Sequence, residues 1–184
     1  MKRISLLFSL LAVCMVTALY AQTAAPKPSA EMKKLNAFVG HFTYEGEGVP
    51  SPLGPARRYK GEVDVQIALK GFFAHCTGTE KDATGEMHFV EYWGYDSTNN
   101  TFYSNRYEDD DSNVYSEKFT INGSAVAVTG SALVNGKQYV TRRTENWAKD
   151  WSSATMKMEF SSDGKTWNPL LQQKFTKVKL AAKR

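Results

Sequence analysis

Charged side chains occur inside aromatic runs of this sequence, at spacings that place them beside large apolar rings. Glu91 alternates with Phe89 and Trp93, and Arg106 follows Phe102 at an even spacing. Residues two apart in a strand point to the same face, so each charge shares a face with rings. A buried charge is costly unless it is paired. The pattern therefore predicts either an internal ion pair or a ligand that supplies the missing charge.

Two adjacent arginines, Arg142 and Arg143, extend this argument to a later run of alternating residues. Neighbours in a strand face opposite ways, so one of the two points inward whichever face is buried. A planar guanidinium can hold a carboxylate through two parallel hydrogen bonds. We take Arg142, together with Arg106 and Glu91, as candidate ligand-binding residues. The partner of the inward arginine is then a carboxylate such as Glu91 or the anionic group of a ligand.

Aromatic residues are dense around these charges. Phe89, Trp93 and Tyr95 fall in one run, and further rings follow at Phe102 and Tyr103. Such a surface can line a pocket for an apolar or planar molecule. It is also what fills the interior of a small barrel. Both interpretations stay open, and Phe89, Trp93 and Tyr95 join the candidate ligand-binding residues.

Three histidines, His41, His75 and His88, are the potential metal or haem ligands of the chain. Zinc needs three or four ligands at characteristic spacings, and the adjacent His75 and Cys76 point to opposite faces of a strand. We therefore expect no metal site. A haem needs only one proximal histidine in an apolar pocket. His75 and His88 are therefore candidate ligand-binding residues, and haem is the alternative to an expectation of no cofactor.

Motifs of the common enzyme classes are missing from the sequence. It has no Gly-x-Ser-x-Gly elbow, phosphate loop, dinucleotide fingerprint or His-Glu-x-x-His, and no spacing selects a carboxylate pair for acid–base work. The formal net charge is +4, but the basic residues are dispersed. A nucleic-acid site would need clustered charge with aromatic stacking platforms. The sequence favours a binding protein over an enzyme and excludes nucleic acid as the expected partner.

The elements that must position these residues are strands, because period-two alternation runs through the chain after Gly40. In the clearest case Val63, Val65 and Ile67 alternate with polar residues. Asn-Gly pairs at 122–123 and 135–136 predict hairpins with type I′ turns. Counting such runs predicts about ten strands, near 41–48, 58–70, 72–80, 86–95, 101–107, 113–121, 124–134, 137–147, 153–161 and 167–179.

A sheet of ten consecutive antiparallel strands needs cover for its apolar face. The sequence offers only one short helix for this purpose, in which Met32, Leu35 and Phe38 recur at helical spacing before Gly40. Closing the sheet buries the face and removes unpaired edges. The connections are short apart from the proline-rich segment 49–57, so sequence neighbours should pair. The predicted fold is all-β: a single up-and-down antiparallel barrel with a short N-terminal helix.

The N-terminal segment 1–21 is predicted to be a secretory signal peptide. It has a basic start at Lys2 and Arg3, an apolar run and small residues around Ala21. Lipoprotein processing at Cys14 is the alternative. We expect an exported protein, periplasmic or extracellular, with no transmembrane segment after signal removal. The remaining chain divides into a linker over 22–30, the barrel domain over 31–180 and a basic tail over 181–184.

Several segments resemble known β-barrel families. Gly40-His41-Phe42 after a short helix resembles the lipocalin and calycin motif in which an aromatic residue, usually Trp, closes one end of the barrel. The segments KLNAFVGHFTYEGE, EYWGYD and SSDGKTW, in this order, resemble a bacterial family of exported proteins of unknown function. This resemblance implies that fatty-acid-binding proteins and nitrobindin are distant relatives. The resemblance implies a calycin-like barrel, closed at Gly40 and Phe42, and no settled activity.

The same resemblance sets the functional expectations. Fatty-acid-binding relatives use inward Arg and Tyr to hold a carboxylate, and nitrobindin-like barrels hold haem. We therefore expect an exported barrel that binds a small apolar or amphipathic molecule. The alternatives are a nitrobindin-like haem-binding barrel, and a filled barrel that acts without a ligand as an interaction or envelope-structure module.

Overall fold

The structure is a computed structural model that describes residues 27–110 and 112–179 of the 184-residue chain. The predicted signal peptide, the first part of the predicted linker and the basic tail lie outside the described residues, as does Cys14. A 3₁₀ helix over Glu31–Phe38 precedes the strands. The strands of the described chain are β1 Gly40–Gly48, β2 Arg57–Ala68, β3 Phe73–Lys81, β4 Glu86–Asp96, β5 Thr101–Glu108, β6 Val114–Asn122, β7 Ala125–Val134, β8 Lys137–Trp147, β9 Ser153–Ser161 and β10 Asn168–Lys177.

The ten strands form one closed sheet. Each strand pairs antiparallel with its neighbours in the chain, and β1 closes the ring by pairing with β10. Phe42 is thus opposite Val63 on one side and Lys177 on the other. The predicted all-β, up-and-down, ten-stranded barrel with a short N-terminal helix is confirmed. Among the described residues, no helix has the length and apolar character needed to cross a membrane.

Alternation along each strand separates the barrel interior from its outer surface. In β8 the buried residues Tyr139, Thr141, Glu145 and Trp147 stand at every second position, broken only by the partly buried Arg143. The inward face of this strand therefore carries polar and charged residues as well as rings. Closure of the sheet, and not apolarity alone, keeps these residues from water.

The 3₁₀ helix covers one end of the barrel, here called the helix end. Its buried residues Met32, Leu35 and Phe38 follow a helical spacing. The ring of Phe38 makes edge contacts with Trp93, Trp147 and Trp151 at centroid distances of 5.4, 5.3 and 4.8 Å. Such edge-to-face pairs contribute beyond simple area burial. The helix therefore acts as an apolar plug, and the opposite end, where β2 and β8 begin, is called the charged end.

Glycines in four strands lie beneath aromatic rings of the neighbouring strand. A Cβ atom at Gly78 would lie 2.5 Å from the Phe89 ring and 2.3 Å from the carbonyl oxygen of Glu62. A ring laid over a glycine shields its backbone and fixes the register of the two strands. The cross-strand pairs of this kind are Tyr44 with Gly61, Tyr59 with Gly46, Phe89 with Gly78 and Tyr103 with Gly94.

The two Asn-Gly hairpins adopt different turns. Asn135 and Gly136 both have positive φ, 51° and 74°, as the predicted type I′ turn requires. At the other hairpin Asn122 pairs with Ala125 as the last residue of β6, and only Gly123 has positive φ, 60°. Glycine at the first central position is the type II′ pattern. The type I′ prediction for residues 122–123 is therefore wrong, although the hairpin is present.

Candidate functional site

The barrel encloses a cavity of about 130 Å³ that lies between the plug and the charged end. Its wall has an aromatic and aliphatic half toward the helix end and a charged half beyond it. The wall residues are Phe38, Phe42, Tyr44, Val63, Val65, Glu80, Phe89, Glu91, Trp93, Ser104, Arg106, Phe119, Val126, Val128, Arg143, Glu145, Trp147, Met156, Gln173 and Phe175.

Stacked and edge-on rings form the apolar half. Trp147 packs edge-on against Phe42 at 5.5 Å between centroids and stacks on Phe175 at 5.7 Å. Trp93 meets Phe119 at 6.0 Å. Because these rings come from five different strands, they hold each other in place. This half offers a rigid surface for a planar or apolar group.

Arg143 is the central cation of the charged half. Its Nη2 lies 3.0 Å from Glu117 Oε2, and its Nε lies 3.2 Å from Glu145 Oε1 without forming a hydrogen bond. Burial alone would lower the pKa of the guanidinium, but Glu117, Glu145 and Glu91 together raise it above its ordinary value. Arg143 therefore stays charged, and its charge is already shared between two carboxylates.

Glu145 lies at the border between the apolar and the charged half of the cavity wall, with Trp147 on one side and Arg143 on the other. Its Oε2 accepts a hydrogen bond from the Trp147 indole Nε1–H at 3.0 Å. Burial raises the pKa of the Glu145 carboxyl above its ordinary value, although Arg143 and the indole pull the pKa downward. A carboxyl in this position binds a proton more readily in the folded chain than in the unfolded chain.

Arg106 lies on the opposite wall and has its own partners. Its Nε is 2.6 Å from Glu108 Oε1, and its guanidinium carbon lies 3.7 Å from the centroid of the Phe89 ring. The Phe89 face and the Glu108 carboxylate together fix the guanidinium plane. Glu91 is opposite Arg106 in the register of β4 and β5, but the Arg106 Nε–H donates to Glu108 and not to Glu91.

Two tyrosines lie where the wall approaches the charged end. The Tyr44 hydroxyl donates to Glu80 Oε2 at 3.3 Å, and Glu80 Oε1 lies 2.9 Å from Arg57 Nη1. The Tyr59 hydroxyl donates to Gln173 Oε1 at 2.9 Å. Burial, followed by the charge of Glu80, raises the pKa of Tyr44 and raises the pKa of Tyr59 to about 12. Both phenols are therefore neutral hydrogen-bond donors at physiological pH.

Four of the residues selected from the sequence line the cavity: Glu91, Trp93, Arg106 and Phe89. Tyr95 lies on the same face of β4 but outside the cavity wall, where its ring packs against Phe102 at 5.0 Å and its hydroxyl donates to Asn100. Their part in binding remains a prediction.

Arg142 lies on the outer surface and not in the barrel. Its Nε is 2.6 Å from Glu159 Oε2, and its guanidinium lies 4.2 Å from the centroid of the Trp167 ring. The inward arginine is its neighbour Arg143. The choice of Arg142 is therefore corrected. The inward face of β8 is itself polar, with Thr141, Arg143 and Glu145, so an apolar alternation could not show which face of the strand points inward.

His75 and His88 also lie outside the cavity. His75 stacks on Tyr92 at 4.8 Å, on the face of β3 opposite the buried Cys76. His88 is exposed, and its Nδ1 lies 2.8 Å from Asp109 Oδ2. His41 faces Glu62 and Asp64.

No histidine therefore lines the cavity, and the cavity is also far smaller than a porphyrin. The residues present do not fit a haem held by an axial histidine. The choice of His75 and His88 as interior ligand-binding residues is corrected for the same reason.

Gly40 and Phe42 lie together at the helix end. Gly40 has φ 143°, and a Cβ there would lie 2.5 Å from the Lys177 side chain. Phe42 is only 2% exposed and packs between the plug and Trp147. Both residues lie at the helix end, and the closing role that the calycin-like resemblance implies for them remains a prediction. Residues that the sequence analysis did not select, above all Glu145, Gln173 and Tyr44, complete the polar wall.

The closed ten-stranded up-and-down barrel with an internal cavity is a calycin-like fold. Residues 27–177 match the family described as protein of unknown function DUF1579, and the chain belongs to that family. A search of curated proteins found no match.

Two solved structures share the fold. Rv2717c from M. tuberculosis is similar with a TM-score of 0.57 at 12% identity, and the similarity covers 83% of this chain and 100% of Rv2717c. The S-type phycobiliprotein lyase CPES from Guillardia theta is similar with a TM-score of 0.51 at 8% identity, over 84% of this chain and 95% of the lyase. At these identities the likeness shows the fold alone.

Proposed function

We propose that this protein binds a small amphipathic molecule inside its barrel. The observation that carries the proposal is the cavity whose wall is divided between packed rings and charged side chains. Binding sites for small molecules are mostly apolar, with a few polar groups that fix orientation. In this cavity the apolar part of the ligand contacts Trp93, Trp147 and Phe119, and its polar part faces the charged half.

The cavity volume limits the size of the ligand. Drug-sized ligands need pockets of roughly 300 Å³ or more, whereas this cavity measures about 130 Å³. A buried apolar cavity of about 150 Å³ is enough to admit benzene. This cavity is slightly smaller, so the part of the ligand that it encloses is no larger than a single ring, and any short substituent must extend toward the charged half. A long-chain fatty acid does not fit.

A pair of matched variants tests the proposal. Val63 lines the cavity, whereas Val90 lies on the outer face of β4 opposite the exposed Tyr107. Val63→Phe places a ring in the cavity, and Val90→Phe adds the same ring outside. We expect benzyl alcohol to bind the wild type and Val90→Phe, as followed by tryptophan emission and calorimetry, and to bind Val63→Phe at least about tenfold more weakly.

Native mass spectrometry of protein purified from its own cells gives a second measurement. A bound small mass released on unfolding supports the proposal. Repeated absence of such a mass, together with no binding of benzyl alcohol or toluene to the wild type, contradicts it.

A filled barrel that acts through its outer surface is the second candidate function. The small cavity favours it, and so do apolar side chains left on the outer surface, since Leu133 is 73% and Leu69 is 65% exposed. This candidate predicts that Val63→Phe changes neither ligand uptake nor any activity of the cell in which the protein works.

We also propose that the protein is exported to the periplasm or the cell exterior after cleavage near Ala21. The support is the basic start, apolar run and small residues of the N-terminal segment.

A further inference from the structure

The charged half of the barrel interior holds more carboxylates than guanidiniums. Two arginines, Arg106 and Arg143, occupy inward positions, and Arg57 reaches in at the rim to bind Glu80. Five glutamates share this space: Glu80, Glu91, Glu108, Glu117 and Glu145. The lumen therefore has an acidic surplus.

Four of these glutamates have polar partners in the structure. Glu80 is bound by Arg57 and the Tyr44 hydroxyl, and Glu108 by Arg106. Glu117 and Glu145 share Arg143. Each arginine is thus engaged by the protein's own carboxylates, and an anionic ligand would have to displace one of them.

Glu91 is the exception. Its carboxylate lines the cavity but forms no hydrogen bond or ion pair with the described residues. On the inward face of β4 it lies between Phe89 and Trp93, and its register partner on β3 is the fully buried Cys76. The register partner that could neutralise it, Arg106, is held on Glu108. The Glu91 side chain is half-buried, and its charge acts on Arg143 only from beyond ion-pair distance, while Arg143 itself is held by Glu117 and Glu145. A cation placed against Glu91 would therefore gain a close ion pair that the described residues do not supply.

The position of Glu91 sets the geometry of a ligand. The residue stands between the ring of Trp93 on the apolar side and Arg106 on the charged side, both in the cavity wall. A ring seated against Trp93 would therefore direct a short polar substituent toward Glu91.

We infer that the ligand of this cavity carries a cationic head, a primary amine or an amidine on a ring-sized apolar body, and that Glu91 is the residue that binds this head. The inference builds on the proposed function, since it assumes that the cavity takes a ligand and adds the sign of the ligand's charge. It also reverses the expectation, drawn from fatty-acid-binding relatives, that inward arginines hold a carboxylate.

Four probes of nearly equal size test the charge: benzylamine, benzyl alcohol, toluene and benzoate, titrated by calorimetry at neutral pH. We expect benzylamine to bind the wild type at least about tenfold more tightly than benzyl alcohol, because a charge-assisted hydrogen bond replaces a neutral one. Benzoate should bind more weakly than toluene.

Glu91→Gln removes the charge and keeps the shape. Its matched control is Glu45→Gln, on the outward face of β1. We expect Glu91→Gln to weaken benzylamine binding at least about tenfold more than it weakens benzyl alcohol binding, so that the preference for benzylamine vanishes. The preference should persist in Glu45→Gln.

The outcomes separate this inference from the proposed function. If benzyl alcohol and toluene bind but benzylamine binds no better, the cationic head is refuted and the binding barrel stands. If no probe binds, both ideas fail. Should Glu91→Gln not fold, the comparison of the four probes on the wild type still decides the question.

Discussion

Removal of the Phe38 ring should destabilise the whole barrel, although the residue belongs to a short helix outside the sheet. Phe38 is 4% exposed and contacts three tryptophans. Truncation of a buried Phe to Ala costs about 3–5 kcal/mol. The helix can shift to fill part of the space, so we expect Phe38→Ala to lose about 3 kcal/mol of unfolding free energy, at the lower end of that range. For a domain of this size the loss lowers Tm by roughly 6–12 °C.

The matched control is the next residue. Val39 follows the helix in an extended conformation and is 36% exposed, so Val39→Ala should change the unfolding free energy by less than about 0.5 kcal/mol. Urea unfolding followed by both circular dichroism and tryptophan emission measures the difference. If the unfolding free energies of Phe38→Ala and Val39→Ala differ by less than about 1 kcal/mol, the helix is not part of the cooperative core, and its interpretation as a plug is wrong.

Three further outcomes are expected. Because the folded pKa of Glu145 is raised, its contribution to stability is fully present below the unfolded pKa of about 4.5 and is lost as the pH rises through the folded pKa. The stability of Glu145→Gln relative to the wild type should therefore increase as the pH rises above about 4.5 in urea titrations, and a decrease would contradict the direction of the pKa shift. Gly78→Ala forces a Cβ against backbone and should cost about 1–3 kcal/mol, whereas Gly48→Ala, whose nearest contact is 3.5 Å, should cost far less in the same assay. Intact-mass measurement of protein from the exported fraction should show a chain that begins just after Ala21, and an uncleaved chain in the cytoplasm would refute export.

The strands and their closure follow from the sequence because one face of most strands is consistently apolar. In β2 the alternation of Val63 and Val65 with charged residues is enough to define which side is buried. The number and order of the strands follow from such runs and from turn residues, since short connections leave few ways to pair neighbours.

The cavity wall was only partly predictable, because the interior of this barrel is itself polar toward one end. In the sequence of β8 the inward series Thr141, Arg143 and Glu145 is no more apolar than the outward Arg142 and Thr144. In β3 the inward residues Ala74, Cys76 and Gly78 are small, so nothing in the sequence pattern excluded the inward face for His75. Some charge partners come from strands distant in the chain, as in the pair of Arg143 with Glu117. No local spacing in the sequence predicts these pairs.

The seam between β1 and β10 has a consequence for the two ends of the domain. Phe42 is opposite Lys177, and the Val178 amide donates to the His41 carbonyl oxygen at 2.8 Å, so the barrel starts and finishes at adjacent points on the helix end. A short peptide linker could join these points and new termini could be opened at the Asn135-Gly136 hairpin, giving a circular permutant with every strand pairing retained. A tag or partner domain joined just before the 3₁₀ helix or just after β10 would likewise emerge beside the plug and leave the charged end unobstructed.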